Sequence, residues 1–306
     1  MVRGPGPENE RFLLHLERIQ ERAGRAQRQI TSGYRLEKPS DAPAQMADIV
    51  ELHTRIAAST QALTNLQSTQ TEVDLNEASI RQAVDMLQDI VVAGTQGVSA
   101  TATPEERKLL AERIREWHSS LVRIANQDYS GRFQFGGDRD DIPPYSVDWT
   151  QPGGVVRAHN APNTRLIEDA MGNRFSVSRR AQDIFDLRDS TDGIAPENVF
   201  NAVYTLANAL DANDAEAAID AVGMVKNSAL HLNNELSAFG LIQNHIKDAI
   251  DQARQVQLRA TAQLAGIRET DLPAAVLELT QANTSLEAAL SAQAHASHAS
   301  LFDYLG

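Results

Sequence analysis

The chain has 306 residues, a formal net charge of −13 and no cysteine, and its 42% hydrophobic content is mostly Ala, Leu, Ile and Val, with aromatics at only 5%. That length exceeds one comfortable core and predicts two or three domains, while the aliphatic, aromatic-poor composition favours long, slender helical packing. The charge argues against nucleic acid or an anionic membrane surface as partner, and the missing thiols exclude disulfides, thiolate metal sites and cysteine nucleophiles.

The N-terminal stretch Met1-Val2-Arg3-Gly4-Pro5-Gly6-Pro7 has no apolar region of the kind a cleaved signal peptide needs. No run of 18 apolar residues follows that could span a membrane. On these grounds alone the chain reads as cytoplasmic, unless it leaves the cell by a route that needs no signal peptide. Phe12, Leu16, Ile19, Ala23, Ala26 and Ile30 then step by 4, 3, 4, 3 and 4. That alternation places them on one narrow stripe of a helix, the pattern of a coiled-coil seam. The helix should stop at Ser32-Gly33, where Gly33 suits the left-handed position past a C-terminus.

A short link ends in Pro39-Ser40-Asp41-Ala42-Pro43. Ser40 or Asp41 offers a capping oxygen, Pro43 fits a first helical turn, and Ala42 before it is steered out of the helical region. From there to about Val92 neither Gly nor Pro occurs, and Ile49, His53, Ile56, Leu63, Leu66, Val73, Ile80, Val84 and Leu87 recur at helical spacing. Some 50 residues of helix would be roughly 75 Å long. Gly94 and Gly97 are expected to close it. Thr103-Pro104-Glu105-Glu106 opens the next helix with a hydroxyl cap, a first-turn proline and acids at the positive end of the helix dipole. Its apolar stripe is Leu110, Ile114, Trp117, Leu121 and Ile124, with His118 expected at the surface or an interface.

From Ser130 to about Gly193 the chain turns rich in Gly, Pro, Asn and Asp. Phe133-Gln134-Phe135, Gly154-Val155-Val156-Arg157 and Arg174-Phe175-Ser176-Val177-Ser178 alternate as short strands do, with a turn over Asp169–Asn173. Helical spacing returns with Val199, Val203, Leu206 and Leu210, breaks at Asp211–Asp214, and resumes from about Ala215 toward Leu264, with interruptions expected at Gly240 and Gly266. After a joint at Asp271-Leu272-Pro273, a second heptad stripe follows: Leu272, Val276, Leu279, Asn283, Leu286 and Leu290. Both end stripes need cover, from the opposite terminus or from other copies of the chain. With so few large anchors, each end should be disordered alone and helical in an assembly, because ordering about 25 residues costs more than those anchors return. Asn283 at a seam position would fix register. Leu301, Phe302, Tyr304 and Leu305 form an apolar end suited to docking on a neighbour.

These residues, in this order, resemble the bacterial flagellin family, and within it most closely the hook–filament junction branch (hook-associated protein type 3). Ile30-Thr31-Ser32-Gly33-Tyr34-Arg35-Leu36 followed by Pro39-Ser40-Asp41-Ala42-Pro43-Ala44 is similar to that family's I-S-S-G-x-R-I-x-x-P-S-D-D-P-A stretch, with Ala42 in place of the second Asp. Gly131-Arg132-Phe133-Gln134-Phe135-Gly136-Gly137 resembles G-x-Y-x-F-x-G, Pro143-Pro144-Tyr145 resembles P-P-F, and Ser300–Leu305 reads S-L-F-D-Y-L, an ending similar to that of junction proteins. Gly4-Pro5-Gly6-Pro7 departs from the pattern, since the family's terminal helix starts earlier.

The resemblance implies a mainly α fold: a long antiparallel helical rod or coiled-coil bundle formed by the N- and C-terminal halves, with a small β-containing inserted domain. Residues 1–42 and 268–306 would form the terminal, inner-tube domain, 43–129 and 195–267 the rod, and 130–194 the outward insertion. Phe12, Leu16, Ile19, Ile30, Leu272, Val276, Leu279, Leu286, Leu290, Leu301, Phe302, Tyr304 and Leu305 would line the assembly interface. Gly33, Arg35, Pro39, Ser40, Asp41 and Pro43 would form the joint between domains. The implied partners are other copies in a ring or tube, a neighbouring hook-associated protein, flagellin and a flagellar export chaperone, with no cofactor, no nucleic acid and no membrane insertion. The implied location is the extracellular flagellum, reached without a cleaved signal peptide. A filament flagellin is the nearest alternative, and a cytoplasmic coiled-coil scaffold the second.

The residues offer little to an enzyme. No G-x-S-x-G, P-loop, dinucleotide fingerprint or H-E-x-x-H is present. His295 and His298 share a helix face without a nearby acid, and Asp138, Asp140 and Asp141 lack the glycine and distal glutamate of a calcium loop. The first pair is read as a solvated or tube-lining face, the second as a polar loop.

Overall fold

The structure is a computed structural model and describes residues 7–36, 41–169 and 172–298, with the side chains of 7–9 and 296–298 excepted. The fold is mainly α, with long antiparallel helices and a small β-containing region, as the periodicity predicts. Contacts divide the chain into two units, Met1–Ala57 with Val256–Gly306, and Ala58–Gln255.

In the first unit, α1 (Pro7–Ser32) packs along α7 (Leu272–His298). Helix α1 ends where expected: Gly33 adopts φ 75° and its N–H donates to the Gln29 carbonyl at 2.9 Å. The unit also holds the first turns of α2 (Met46–Gly97) and the last turns of α6 (Ala215–Arg268). Helix α2 is entered through a 3-10 turn at Pro43–Gln45, and Ala42 sits outside the helix at φ −154° without a side-chain cap. Pro43 occupies the first turn, the position its fixed φ suits. Pro39 and Ser40 lie outside the described residues.

In the second unit, α2 and α6 run antiparallel. Gln243 Nε2 donates to Asp74 Oδ1 at 2.9 Å, and Gly94 lies against Val222, so position falls along one helix as it rises along the other. Leu66, Val73, Ile80 and Leu87 on α2 and Leu232, Phe239 and Ile246 on α6 are buried in one continuous core. Helix α2 runs through Gly94 and closes at Gly97, as expected, whereas the interruptions expected at Gly240 and Gly266 fail, since α6 is unbroken through both. A helical glycine costs only about 1 kcal/mol relative to alanine, too little to break a helix whose neighbours are packed. At Gly94 the missing side chain has a further use, because an added Cβ would lie 2.7 Å from Val222 Cγ2 and 2.9 Å from Leu206 Cδ2.

Helix α3 (Pro104–Ala125) opens with a complete capping box: Glu106 N donates to Thr103 Oγ1, and Thr103 N donates to the Glu106 carboxylate. It packs on α5 (Val199–Asp211), whose Val199, Val203, Leu206 and Leu210 are all buried, as their spacing predicts. Between them come three separate two-stranded antiparallel pairs: β1 (Asp128–Tyr129) with β2 (Arg132–Phe133), β3 (Tyr145–Val147) with β4 (Val155–Arg157), and β5 (Leu166–Glu168) with β6 (Arg174–Ser176). A 3-10 turn at Pro152–Gly154 leads into β4, and a four-residue helix, α4 (Ala181–Ile184), follows β6. Of Phe133-Gln134-Phe135 only Phe133 is in a strand; Phe135 is buried against Phe185, and its carbonyl accepts from Ala181 N at 2.8 Å.

This module is fastened to both long helices. Arg165 pairs with Glu72 of α2, and Arg179 meets Glu235 of α6 with two bonds of 2.7 Å. Asn126, just past α3, donates to the Tyr145 carbonyl at 2.7 Å and accepts from Tyr145 N–H at 3.0 Å, which holds β3 to the helix end. Within the module, the Arg157 guanidinium bonds the buried Asp186 carboxylate, and burial beside that carboxylate pushes the Tyr145 phenol well above its ordinary range.

Candidate assembly interface

The terminal pair is built from two unlike helix faces. On α1 the seam is the expected one: Ile19 and Ala26 are buried, and Phe12, Leu16, Ala23 and Ile30 are half-buried. On α7 the seam facing α1 is shifted. Ala275 and Ala282 are buried and Leu279, Leu286 and Ala289 half-buried, again at 4-3 spacing, whereas Leu272, Val276 and Leu290 stay 48%, 50% and 50% exposed. Asn283 is exposed too, so it is no seam residue between these two helices. Alanine against the larger residues of α1 lets two helices approach closely, and this displaces the seam from the leucine row to the alanine row. The alanine heptad Ala275-Ala282-Ala289 was the signal for it, outweighed by the larger residues beside it.

Helix α7 therefore has apolar character on two sides. One side is used by α1, and the other carries Leu272, Val276 and Leu290. Leu13 and Leu14 of α1 and Leu277 of α7 are also largely exposed. Across the pair, the Arg22 guanidinium donates to the Glu278 carboxylate at 2.7 Å. That bond holds the Glu278 carboxyl below and the Arg22 guanidinium above their usual ranges, but both groups are open to solvent and contribute orientation more than stability. Leu301, Phe302, Tyr304 and Leu305 lie outside the described residues.

The joint is more closely determined. Arg35 N–H donates to the Arg268 carbonyl at 2.7 Å, Thr270 N–H to the Gly33 carbonyl at 3.0 Å, and Tyr34 bridges to Glu269. The Arg35 side chain donates from Nη2 to the Ile267 carbonyl at 2.8 Å. A guanidinium there satisfies a carbonyl left open at the C-terminal end of α6 and meets the negative end of its dipole. The Arg268 guanidinium lies 4.3 Å from the Tyr34 ring centroid. Asp271 then caps α7, its Oδ1 accepting from Ala274 N at 3.1 Å, with Pro273 in the first turn. Gly33 and Arg35 thus work as a pair: one turns the chain out of α1, the other ties it to the end of α6.

Two of the remaining polar residues marked in the sequence have structural partners. Asp140 pairs with Arg132, and Asp138 accepts from Asn163 Nδ2 at 3.1 Å. His295 is exposed, and the side chain of His298 lies outside the described residues. Among the described residues no three His, Asp or Glu side chains converge on one point. His118, expected near the surface, is fully buried on α3, while Trp117 is half-buried with the Arg113 guanidinium 4.7 Å from its ring centroid. Module and α5 together enclose α3 on the His118 side, which periodicity within one helix does not reveal.

Residues 11–139 match the bacterial flagellin N-terminal helical region, and residues 222–305 the bacterial flagellin C-terminal helical region. Among curated proteins nothing matches. Among solved structures, a protein assigned as flagellar hook-associated in Vibrio parahaemolyticus shares 17% identity at a TM-score of 0.65, covering 75% of this chain and 100% of that one. Flagellar hook-associated protein-3 from Legionella pneumophila is similar at 14% identity and a TM-score of 0.61, covering 72% and 98%. The flagellar junction protein FlgL of Legionella pneumophila gives 13%, 0.54, and coverage of 66% and 99%. At these identities the likeness is one of fold. With both helical regions of one family matched at the two ends of the sequence, and folded here against each other as α1 and α7, the chain belongs to the bacterial flagellin family.

Proposed function

We propose that this protein is a structural subunit of the bacterial flagellum that joins the hook to the filament, assembling through its terminal helices. One observation carries the reading most directly: two flagellin end regions pair as α1 and α7 and leave Leu272, Val276 and Leu290 uncovered. A lone helix pair with one apolar side satisfied and another open calls for identical neighbours in a ring or tube. The fold likeness to hook-associated and junction proteins, together with a 65-residue insertion and the S-L-F-D-Y-L ending, favours the adapter over a filament flagellin.

In this reading residues 1–42 and 268–306 form the inner tube, 43–129 and 195–267 the rod, and 130–194 the outward decoration. A neighbouring hook-associated protein contacts one end of the ring and flagellin the other. Leu301, Phe302, Tyr304 and Leu305 dock on a neighbour. The chain leaves the cell without a cleaved signal peptide, escorted by an export chaperone, and its ends order on assembly. Among the described residues Ile19 is the only large side chain of the α1–α7 pair that is buried, which is why the pair needs further cover.

Two experiments test this. Deleting the protein should leave hooks without filaments while flagellin accumulates in the medium; filaments of normal length on the deletion strain would refute the adapter role. Amide exchange on the dilute monomer should show weak protection across residues 10–30. Strong protection there would refute ordering on assembly without touching the adapter role.

A further inference from the structure

His118 on α3 is fully enclosed, at 0% exposure, yet only one of its ring nitrogens has a partner. Nε2 lies 2.9 Å from the Gly153 carbonyl oxygen. A carbonyl only accepts, so Nε2 carries the proton and Nδ1 presents a bare lone pair with nothing to bond. The ring sits beside Trp149, with centroids 4.8 Å apart, and Phe200, at 5.8 Å. Gly154 closes over it so tightly that an added Cβ would lie 3.0 Å from His118 Cε1. The imidazole is thus the floor on which residues 148–154 rest between α3 and α5.

We propose that protonation of His118 releases the 148–154 segment from the α3–α5 face, so that this edge of the β-containing module is an acid-sensitive latch. A proton on Nδ1 would place a charged N–H among aromatic rings with no acceptor. The surrounding charges do not compensate. On α3 itself, Arg115 holds its guanidinium 5.4 Å from the Trp149 centroid, and its carboxylate partner Asp211, at 2.9 Å, is already engaged. In the segment, the Asp148 carboxylate accepts from Thr150 N–H at 2.9 Å and Oγ1 at 2.7 Å. Helix α5 offers the Tyr204 phenol, whose ring stacks on Trp149, and β3 offers Tyr145, packed edge-on to Phe200. Among the described residues no carboxylate lies within ion-pairing distance of His118. The faces of Trp149 and Phe200 attract a cation weakly. Burial outweighs this and holds the imidazole below the usual histidine range, against the opposing pull of the Gly153 carbonyl.

The direction follows from linkage. Once released, His118 returns to an ordinary pKa of about 6.5, so below that pH the released state binds a proton the latched state does not. Latching is complete above about 6.5 and weakens by about tenfold per pH unit below it, until the folded pKa is passed.

The test uses the full chain carrying Trp117→Phe, which leaves Trp149 as the one emitter of the two tryptophans present. Emission and the His118 Hε1 resonance are followed together from pH 8 to 4.5. The expected result is a reversible red shift starting below about 6.5, with the His118 resonance moving at the same midpoint. His118→Gln keeps a donor for the Gly153 carbonyl and cannot titrate, so the red shift should vanish. Flat emission to pH 4.5, a His118 midpoint at or above 6.5, or a transition persisting in folded His118→Gln would each overturn the latch. Should His118→Gln fail to fold, the parent chain still decides: coincident midpoints support the latch, and midpoints more than about one unit apart refute it.

Discussion

The same chemical change at two glycines should have opposite effects, because one glycine faces packed side chains and the other faces open space. At Gly94 a methyl group would meet Val222 Cγ2 at 2.7 Å and Leu206 Cδ2 at 2.9 Å, and Leu206 is completely buried. Overpacking of this kind costs about 1–3 kcal/mol, since branch ends locked in a core must move. Replacing a helical glycine by alanine returns about 0.5–1 kcal/mol. Gly94→Ala should therefore lose about 0–2.5 kcal/mol net, which lowers Tm by up to roughly 10 °C for a unit of roughly 200 residues. At Gly240, also inside a helix, nothing lies within 4 Å of the added atom. Gly240→Ala should gain about 0.8–1 kcal/mol, or roughly 2–4 °C. Calorimetric melting of the two variants beside the parent reads both shifts in one experiment. A Gly94→Ala chain stabilised as much as Gly240→Ala, or a destabilised Gly240→Ala chain, would refute the claim that α2 is drawn against α5 and α6 at its missing side chain.

Thr103→Ala should destabilise the second unit by about 0.5–2 kcal/mol, measured by urea unfolding, because it removes the hydroxyl that accepts from Glu106 N–H, the side-chain half of the capping box. The same box holds the Glu106 carboxyl below its usual range, chiefly through the Thr103 N–H and then through its hydroxyl, so its contribution is present above about pH 4.5 and is lost as the pH falls through the depressed value; Thr103→Ala, which keeps that N–H, should shrink this pH dependence without removing it. Arg179→Ala leaves the nearly enclosed Glu235 carboxylate without its two-bond partner; with the guanidinium itself 36% exposed, the cost should be about 1–2 kcal/mol by the same assay. Changing Leu272, Val276 and Leu290 together to Gln should leave the monomer's melting within about 0.5 kcal/mol per site, yet abolish swimming on complementation. Normal swimming would remove the exposed α7 face from the assembly surface.

How much of this could be read in advance depended on where the deciding neighbour lay. Helix α2 was legible because nothing in some 50 residues opposes a helix, and the α1 stripe because Phe12, Leu16 and Ile30 share a face with the buried Ile19 and Ala26. The α7 stripe misled for the opposite reason: its large residues and its contact residues fall on adjacent faces, and only the size of the partner decides that Ala275 and Ala282 turn inward. Strands of two or three residues such as β1, β3 and β5 carry too little alternation to register. Arg35 was placed in the joint by its position in a motif, but its bond to the Ile267 carbonyl depends on a residue 232 positions away. His118 shows the same limit, since Gly153 and Phe200, which enclose it, belong to other elements.

The opposed alignment of α2 and α6, pinned at Asp74 with Gln243 and at Gly94 with Val222, has a consequence for how such a chain can vary. Losing one residue from either helix would swing every later side chain by about 100° around the axis and carry Phe239 or Ile80 from shelter into water. Single-residue changes in length are therefore best tolerated outside the long helices, above all between β1 and α5, where no helical phase is propagated. That stretch is free to grow, shrink or be exchanged, provided Arg165 and Arg179 still reach their carboxylates.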